Sequence, residues 1–418
     1  MQKNTRILEL ADQCVKCGLC LPHCPTYQYS QNEAESPRGR IALLQGLAEN
    51  SLFADKQLQQ HIDACLLCRN CERVCPAGVK VAEIIESGRG LIQVNQPAGH
   101  AKRLGLNIFA AAGLMRFLNN TLWCYQNSGL KWLVKKLNIL TFSRLKEVER
   151  LLPTIRWSSK LRRIYPAIKQ SKGNVALFIG CLGESFEQQT TQASIKLLNR
   201  LGYTVEVVEQ QTCCGAHASH SGDTQYRIDL ARKNINAFSN QTYDAILYSA
   251  TGCGVSLREY AHLPWQNQEQ LQEAEQFVQS LEEVTHFLKR IHWPEDISFT
   301  HLDKMVAVHE PCSQKNVLRQ NQLSSALLEK IPGLNTSLLE HNETCCGGAG
   351  MYMITHGKLA RSLRQAKLDA ARNTQNGAQR DVVVTTNPGC SLFIGAGLAG
   401  DKIRVVHPVV LLAEQLND

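Results

Sequence analysis

Two stretches decide how this chain is read: Cys14-Val-Lys-Cys17-Gly-Leu-Cys20-Leu-Pro-His-Cys24-Pro25 and Cys65-Leu-Leu-Cys68-Arg-Asn-Cys71-Glu-Arg-Val-Cys75-Pro76. Each is C-x2-C-x2-C-x3-C-P, the ligand spacing of a module that carries two [4Fe–4S] clusters. Three thiolates two residues apart can wrap one cubane from a tight loop. The fourth, followed by proline, leaves the loop and crosses to the other cluster. On that pattern Cys14, Cys17, Cys20 and Cys75 hold one cluster, and Cys65, Cys68, Cys71 and Cys24 hold the other. Zinc sites use two CxxC pairs more often than a four-cysteine run closed by proline, so iron is favoured over zinc or disulfides.

The chain has 418 residues, enough for two or three domains, and 44% apolar residues, enough for real cores. Its 17 cysteines fall in groups rather than scattering. Met1 to Leu10 has no apolar segment of the signal-peptide kind, and the grouped thiols suit a reducing cytoplasm. The longest apolar stretch, Leu104 to Leu118, is broken by Asn107 and Arg116 and is shorter than the ~20 residues a membrane span requires. The formal charge is +8, but Asn95 to Lys172 holds 15 Lys and Arg against Glu147 and Glu149, a local +13, leaving about −5 elsewhere. That charge sits in one intervening segment and not on a nucleic-acid module, so no nucleic-acid partner is expected.

Forty residues separate the two runs, far more than a compact bacterial ferredoxin uses, and they read as helical. Ser36 suits a cap, Pro37 a first helical position, and Ile41, Leu43, Leu44 and Leu47 one apolar face. A second helix is expected over about Asp55 to Leu66. Arg38 and Arg40 read as surface ion-pair residues. The basic segment shows an amphipathic helical pattern with Trp123, Trp132 and Trp157, a docking surface or a spacer, with Cys124 as a buried inert thiol.

From Asn174 the texture becomes βαβα, implying parallel sheets flanked by helices. Strand-like runs Val175–Ile179, Tyr203–Val208 and Ala245–Ala250 lead to Cys181, to Cys213-Cys214-Gly215 and to Cys253. Runs at Met305–His309, Thr336–Glu340 and Val382–Thr386 lead to Cys312, to Cys345-Cys346-Gly347-Gly348 and to Cys390. The lone cysteines are 131 residues apart, the doublets 132 and the last members 137. Two pseudo-symmetric copies follow, joined by a polar helical bridge over 262–292. Cys181, Cys213, Cys214 and Cys253, and likewise Cys312, Cys345, Cys346 and Cys390, are candidate ligands of a further metal or redox group. Structural thiols are the other reading. His217, His220, His309 and His341 lie near these loops and read as packing or hydrogen-bonding residues.

This layout resembles proteins that join a two-cluster ferredoxin to two Cys-Cys-Gly domains: heterodisulfide reductase subunits, the anaerobic glycerol-3-phosphate dehydrogenase small subunit and, most of all, the glycolate oxidase iron–sulfur subunit. The likeness rests on both cysteine runs, Cys-Pro-Thr-Tyr at 24–27, Pro-Arg-Gly-Arg-Ile at 37–41, Cys-Pro-Ala-Gly-Val at 75–79 and Gly-Cys-Gly at 252–254. The chain departs from the heterodisulfide reductase pattern where Ala250 and Asn387 replace the first cysteine of each closing C-x-x-C. Each site therefore has one thiolate fewer, which counts against five-cysteine clusters and disulfide reduction.

The expected fold is multidomain, α plus α/β: an α-helical ferredoxin over 1–94, a basic helical linker over 95–172, and Cys-Cys-Gly domains over 173–292 and 293–418. The resemblance implies an electron-transfer subunit with no catalytic residue of its own. FAD subunits would oxidise glycolate to glyoxylate, and electrons would pass to a membrane quinone from a cytoplasmic complex peripheral on the inner membrane. A subunit of a D-lactate or glycerol-3-phosphate dehydrogenase, or a zinc-binding docking protein, are the other readings. The chain's one G-x-G-x-x-G string, at Gly395, Gly397 and Gly400, lies too near the end for a dinucleotide-binding βαβ unit.

Overall fold

The computed structural model describes residues 2–95, 112–137, 149, 152, 154–373 and 380–417. The ferredoxin module is a helical cage. Helices Gln2–Ala11, Pro37–Ala48 and Val81–Asn95 pack together around Ile7, Ile41, Leu44, Leu47, Ile84 and Ile85, with Leu58 and Ile62 added by helix Lys56–Asp63. Both caps are side chains: Ser36 Oγ accepts from Gly39 N at 2.9 Å, and Asp55 Oδ1 from Leu58 N at 2.8 Å. Such a cap contributes about 1 kcal/mol. Leu43 is only half-buried, and the second helix ends three residues short of the expected Leu66.

Arg40 departs from expectation. It is 1% exposed. Its guanidinium donates to Thr26 Oγ1 at 2.9 Å, to the His61 carbonyl at 2.7 Å and to the Glu35 carboxylate. Five fixed donors suit this junction of three elements. Arg38 is the surface residue, paired with Glu33 at 2.7 Å.

Nine strands occur among the described residues: β1 (Ile164–Tyr165), β2 (Gly173–Phe178), β3 (Tyr203–Val207), β4 (Ala245–Tyr248), β5 (Leu281–Glu283), β6 (Lys304–His309), β7 (Leu334–Leu338), β8 (Val382–Thr385) and β9 (Arg404–Val406). One sheet has order β1-β3-β2-β4-β5 and the other β7-β6-β8-β9. All pairings are parallel except β1 with β3. The repeat therefore holds in three dimensions: β3-β2-β4-β5 corresponds to β7-β6-β8-β9.

Strand alternation assigns the two faces. Val175, Leu177, Val306 and Val308 point into one core shared by both sheets, while Ala176, Phe178 and Ala307 face separate outer cores. Four helices fill the shared layer: Gln188–Arg200 packs on Pro408–Gln415, and Val284–Arg290 on Leu323–Leu328. Each pair joins a helix following a first strand to one following a last strand, as a pseudo-two-fold axis requires. His407 Nε2 lies 3.1 Å from the Ser249 carbonyl across that join.

The stretch 262–292 is more than a polar bridge. Its polar part is helix Gln268–Gln279, but Leu281–Glu283 is a strand of the first sheet, and Val284, Phe287 and Leu288 are buried in the shared core. Three-residue strands such as β5 and β9 carry too little alternation to be read from sequence.

In the linker, helices Ala112–Asn127 and Leu130–Lys136 are described; the residues of this segment at 96–111, 138–148, 150–151 and 153 lie outside the described set. Met115 and Asn119 face inward, and Asn119 Nδ2 donates to the Arg156 carbonyl at 2.9 Å. Cys124, five residues on, falls well round the helix and is exposed, against expectation. Trp123 meets Trp157 edge-on at 5.3 Å, and Arg116 pairs with Glu184 of the first repeat at 2.8 Å. Among the described residues no helix is long and apolar enough to cross a membrane.

Candidate metal centres

The two ferredoxin runs use the same backbone. Lys16 and Leu67, each two residues past a first cysteine, have φ of 55° and 52°; Gly18 and Arg69, each just past a second cysteine, have 85° and 56°. Left-handed backbone is uncommon for a bulky residue such as Leu67. Two such residues in five coil the chain tightly, as wrapping a compact group from one loop requires.

The crossed set converges. Cys24, Cys65, Cys68 and Cys71 line one cavity with Pro25, Thr26, Arg40 and Leu66. Thr26 Oγ1 lies 3.2 Å from Cys24 Sγ. Burial pushes the Cys68 and Cys71 thiols well up from their ordinary range. Of the other set, Cys14, Cys20 and Cys75 are half-buried. Cys17 is exposed, and burial takes the Cys20 thiol up to about 11.

In each repeat the thiols gather beyond the carboxyl ends of three parallel strands. The chain leaves β2 and β4, and likewise β6 and β8, towards opposite sides of the sheet, and that reversal opens a crevice. The doublet glycines Gly215 and Gly347 have φ of 80° and 82°, turning each doublet into the crevice. The sulfurs are neighbours in the order Cys181, Cys213, Cys214 and Cys253 in one repeat and Cys312, Cys345, Cys346 and Cys390 in the other. Cys214 and Cys345 each sit between two other thiols, which lower their pKa from the ordinary thiol range. Buried Tyr260 and Asn234 brace the first doublet: the Tyr260 hydroxyl donates to Cys214 O, and Asn234 Nδ2 to Cys213 O, each at 3.0 Å.

In the second repeat Cys346 Sγ lies 3.0 Å from Cys390 Sγ, and the Gly347 and Gly348 amides lie 3.4 Å from the Cys345 and Cys346 sulfurs. Of the four histidines read as packing or hydrogen-bonding residues, His309 is the one that lies against the thiols. It is buried, with a ring nitrogen within 4.8 Å of the Cys346 and Cys390 sulfurs, in a geometry able to hold a metal ion. Its Nδ1 is 3.0 Å from Thr385 Oγ1, the kind of outer contact that orients a ligating imidazole. Its place as the last residue of β6, three before Cys312, was the available signal. His217 is half-buried and His220 exposed, and the His341 side chain is more than half exposed. At the departed positions, Ala250 and Asn387 are helix N-caps, and Asn387 Oδ1 accepts from Gly389 N at 3.3 Å. The Gly395–Gly400 string runs off the end of helix Pro388–Gly397 instead of opening a helix after a strand.

Family models match four segments: a 4Fe-4S dicluster domain over 10–79, the glycolate oxidase iron–sulfur subunit linker region over 98–152, and a cysteine-rich domain over 175–258 and again over 306–395. The glycolate oxidase iron–sulfur subunit of Escherichia coli (strain K12) is 29% identical over 427 residues, 100% of this chain and 98% of that protein. Lactate utilization protein A of Geobacillus thermodenitrificans (strain NG80-2) is 28% identical over 245 residues, 58% of this chain and 98% of that protein. The probable glycolate oxidase iron–sulfur subunit of Bacillus subtilis (strain 168) is 33% identical over 416 residues, 96% of this chain and 93% of that protein. Likeness at that level along nearly both full lengths means that the chain belongs to the glycolate oxidase iron–sulfur subunit family.

Proposed function

We propose that this chain is the electron-transfer subunit of a flavin-dependent glycolate dehydrogenase complex. In this reading FAD-binding partner subunits convert glycolate to glyoxylate, and the acceptor is a membrane quinone. Cys14, Cys17, Cys20 and Cys75 hold an outer [4Fe–4S] cluster; Cys65, Cys68, Cys71 and Cys24 hold an inner one. Segments 1–94, 95–172, 173–292 and 293–418 are the working units. The observation that carries the reading is the cavity in which Cys24 joins Cys65, Cys68 and Cys71. Four converging thiols with buried surroundings suit a cubane, and the run spacing asks for this crossed set.

When bound, such clusters supply one-electron chemistry. Removing hydride from a 2-hydroxy acid takes a two-electron acceptor such as flavin. The purified, iron-replete chain should therefore not oxidise glycolate with an artificial electron acceptor, and turnover should appear on adding the FAD subunits. Turnover by the flavin-free chain would sink the proposal. A lactate-oxidising complex is the second reading, supported by the lactate utilization relatives that align over 58% of the chain. The preference of the co-purifying flavoprotein for glycolate or lactate separates the two.

The linker is the proposed membrane-facing surface. Phe117 is 66% exposed and Trp132 63%, with Leu130, Leu133 and Leu137 also exposed beside them. Lys136 Nζ sits 4.6 Å from the Trp132 ring centroid. Exposed aromatics with nearby cations suit an anionic lipid surface, which attracts each close Lys or Arg by about 1 kcal/mol. Replacing Lys131, Lys135 and Lys136 with Glu should release the complex from anionic vesicles. Dissociation of the flavoprotein with vesicle binding retained would assign the patch to that partner. An intact, bound and active triple mutant would show a solvated face only.

A further inference from the structure

The two ferredoxin runs coil alike, but the pair of residues between their second and third cysteines differs: Gly18-Leu19 in the first and Arg69-Asn70 in the second. Leu19 is 56% exposed, whereas Asn70 is 3% exposed. Asn70 is a junction. Its Nδ2 donates to the His23 carbonyl at 2.9 Å and to the Glu343 carbonyl at 3.2 Å, and its Oδ1 accepts from Arg73 Nη2 at 3.2 Å. His23 precedes Cys24, and Glu343 belongs to the second repeat. One side chain therefore ties the Cys65–Cys71 loop to the loop of the crossing cysteine and to a distant domain. Arg69 beside it pairs with Glu259 of the first repeat.

The second repeat reaches the same loop from its own side. Directly after Cys312 comes a π-helix, Ser313–Leu318, a rare form that recurs at functional sites. Asn316 of this helix donates from Nδ2 to the Cys68 carbonyl at 2.8 Å, across 248 residues of chain. A loop with left-handed backbone at Leu67 and Arg69 cannot pair its carbonyls as a helix or strand would, so a side chain from elsewhere serves. Asn316 is 9% exposed, and its Oδ1 is buried with no hydrogen-bond partner. A buried amide left half-satisfied costs stability. An apolar side chain of similar size would fill this place without that cost. Packing therefore does not explain an asparagine here; the bond to Cys68 does. Tyr352 adds a third tie, its hydroxyl donating to the Ala64 carbonyl at 3.0 Å just before Cys65.

We propose that Asn70 and Asn316 are positioning residues of the inner iron–sulfur site: Asn70 holds the Cys24 loop against the Cys65–Cys71 loop, and Asn316 fixes the Cys68 peptide from the second repeat. The proposal rests on the cluster reading above. The inner ligands are then held in place by a domain that supplies none of them, whereas the matching position of the first run is exposed Leu19. Hydrogen bonds around a ligand orient it and tune the group it binds. A charge placed at Asn70, or a donor removed at Asn316, should be felt at the inner site and not at the outer one.

The test uses the full chain, loaded with iron and sulfide anaerobically, as parent, Asn70→Asp and Asn316→Ala, each also made with Cys17→Ser so that only the inner centre remains. Asn70→Asp keeps an acceptor for Arg73 but cannot donate to His23 O or Glu343 O, and its carboxylate opposes the added electron of a reduced cluster. Redox titration followed by EPR should show one ferredoxin centre moved to lower potential, and the same shift should recur with Cys17→Ser. A chelator should remove that centre's iron on the order of tenfold faster, the effect of losing one such bond. Asn316→Ala should speed the same release by roughly as much and leave the outer centre at its parental potential. Asn316 lies outside the cysteine runs, so this variant decides the matter if Asn70→Asp does not fold. Equal changes in both centres, as general loosening of the module would give, overturn the proposal. So do a change confined to the outer centre, an unmoved potential in Asn70→Asp, or a parental release rate in either variant. A parent without two ferredoxin centres overturns the cluster reading, and the proposal with it.

Discussion

The double substitution Cys17→Ser, Cys24→Ser is expected to strip both clusters from the ferredoxin module, while either single change removes about half of its roughly eight iron atoms. The expectation follows from crossed ligation. In the proposed ligation Cys17 serves the other cluster, while Cys24 lines one cavity with Cys65, Cys68 and Cys71. If each run served its own cluster, both changes would fall on one cluster, and the double mutant would keep the same iron as either single. Iron per chain and EPR of the reduced protein distinguish the outcomes. The change at Cys24 should also loosen its loop, because Thr26 beside it ties to Glu35 O at 2.7 Å.

The second large effect belongs to Arg40. Arg40→Met should destabilise the ferredoxin module by roughly 3–5 kcal/mol, the usual cost of removing one partner of a buried ion pair. Glu35 would keep His61 Nδ1 at 2.7 Å but lose its guanidinium, and Thr26 and the His61 carbonyl would each lose a donor. Because Thr26 sits against Cys24, faster iron loss from the inner site should accompany the lower melting temperature. Arg40→Lys should recover only part of both, since one ammonium cannot reach three acceptors in the guanidinium's fixed geometry. Thermal unfolding of the iron-loaded chain, followed together with bleaching of its colour, measures the two effects. A variant with parental stability and parental iron retention would show Arg40 to be dispensable.

How much was legible differs from site to site. The eight ferredoxin cysteines announce themselves because a cluster wrapped by one loop imposes fixed sequence spacing. The repeat shows because the lone cysteines and doublets recur at nearly constant separation. Strands β2, β4, β6 and β8 could be read because buried parallel strands are continuous apolar runs. Strand β5 could not: Leu281-Glu-Glu is too short to show a period. The sequence gives Arg40 no local distinction from Arg38, two residues earlier. Only the arrival of Thr26, Glu35 and His61 from separate elements makes the one a buried junction and leaves the other at the surface. Cys124 was misread because a lone thiol carries no phase information, and the inward face of its helix is set by Asn119 and its partners.

By itself, the sequence determined the chemistry of the chain: thiol ligands in cluster spacing, two copies of a Cys-Cys-Gly α/β unit, and a basic aromatic linker. Spacing along the chain is enough for these, because each arises within one loop or one repeat. Tertiary structure decided what lies beside what. It set Cys68 against Cys345, put buried Lys367 and half-buried Lys315 near the thiols of the second repeat, and brought His309 to Cys346 and Cys390. Those contacts join residues up to hundreds of positions apart, and they form because apolar faces and hydrogen-bonding groups on separate elements must be buried and satisfied together. No one-dimensional spacing records them, and they give two repeats of like sequence unlike surroundings.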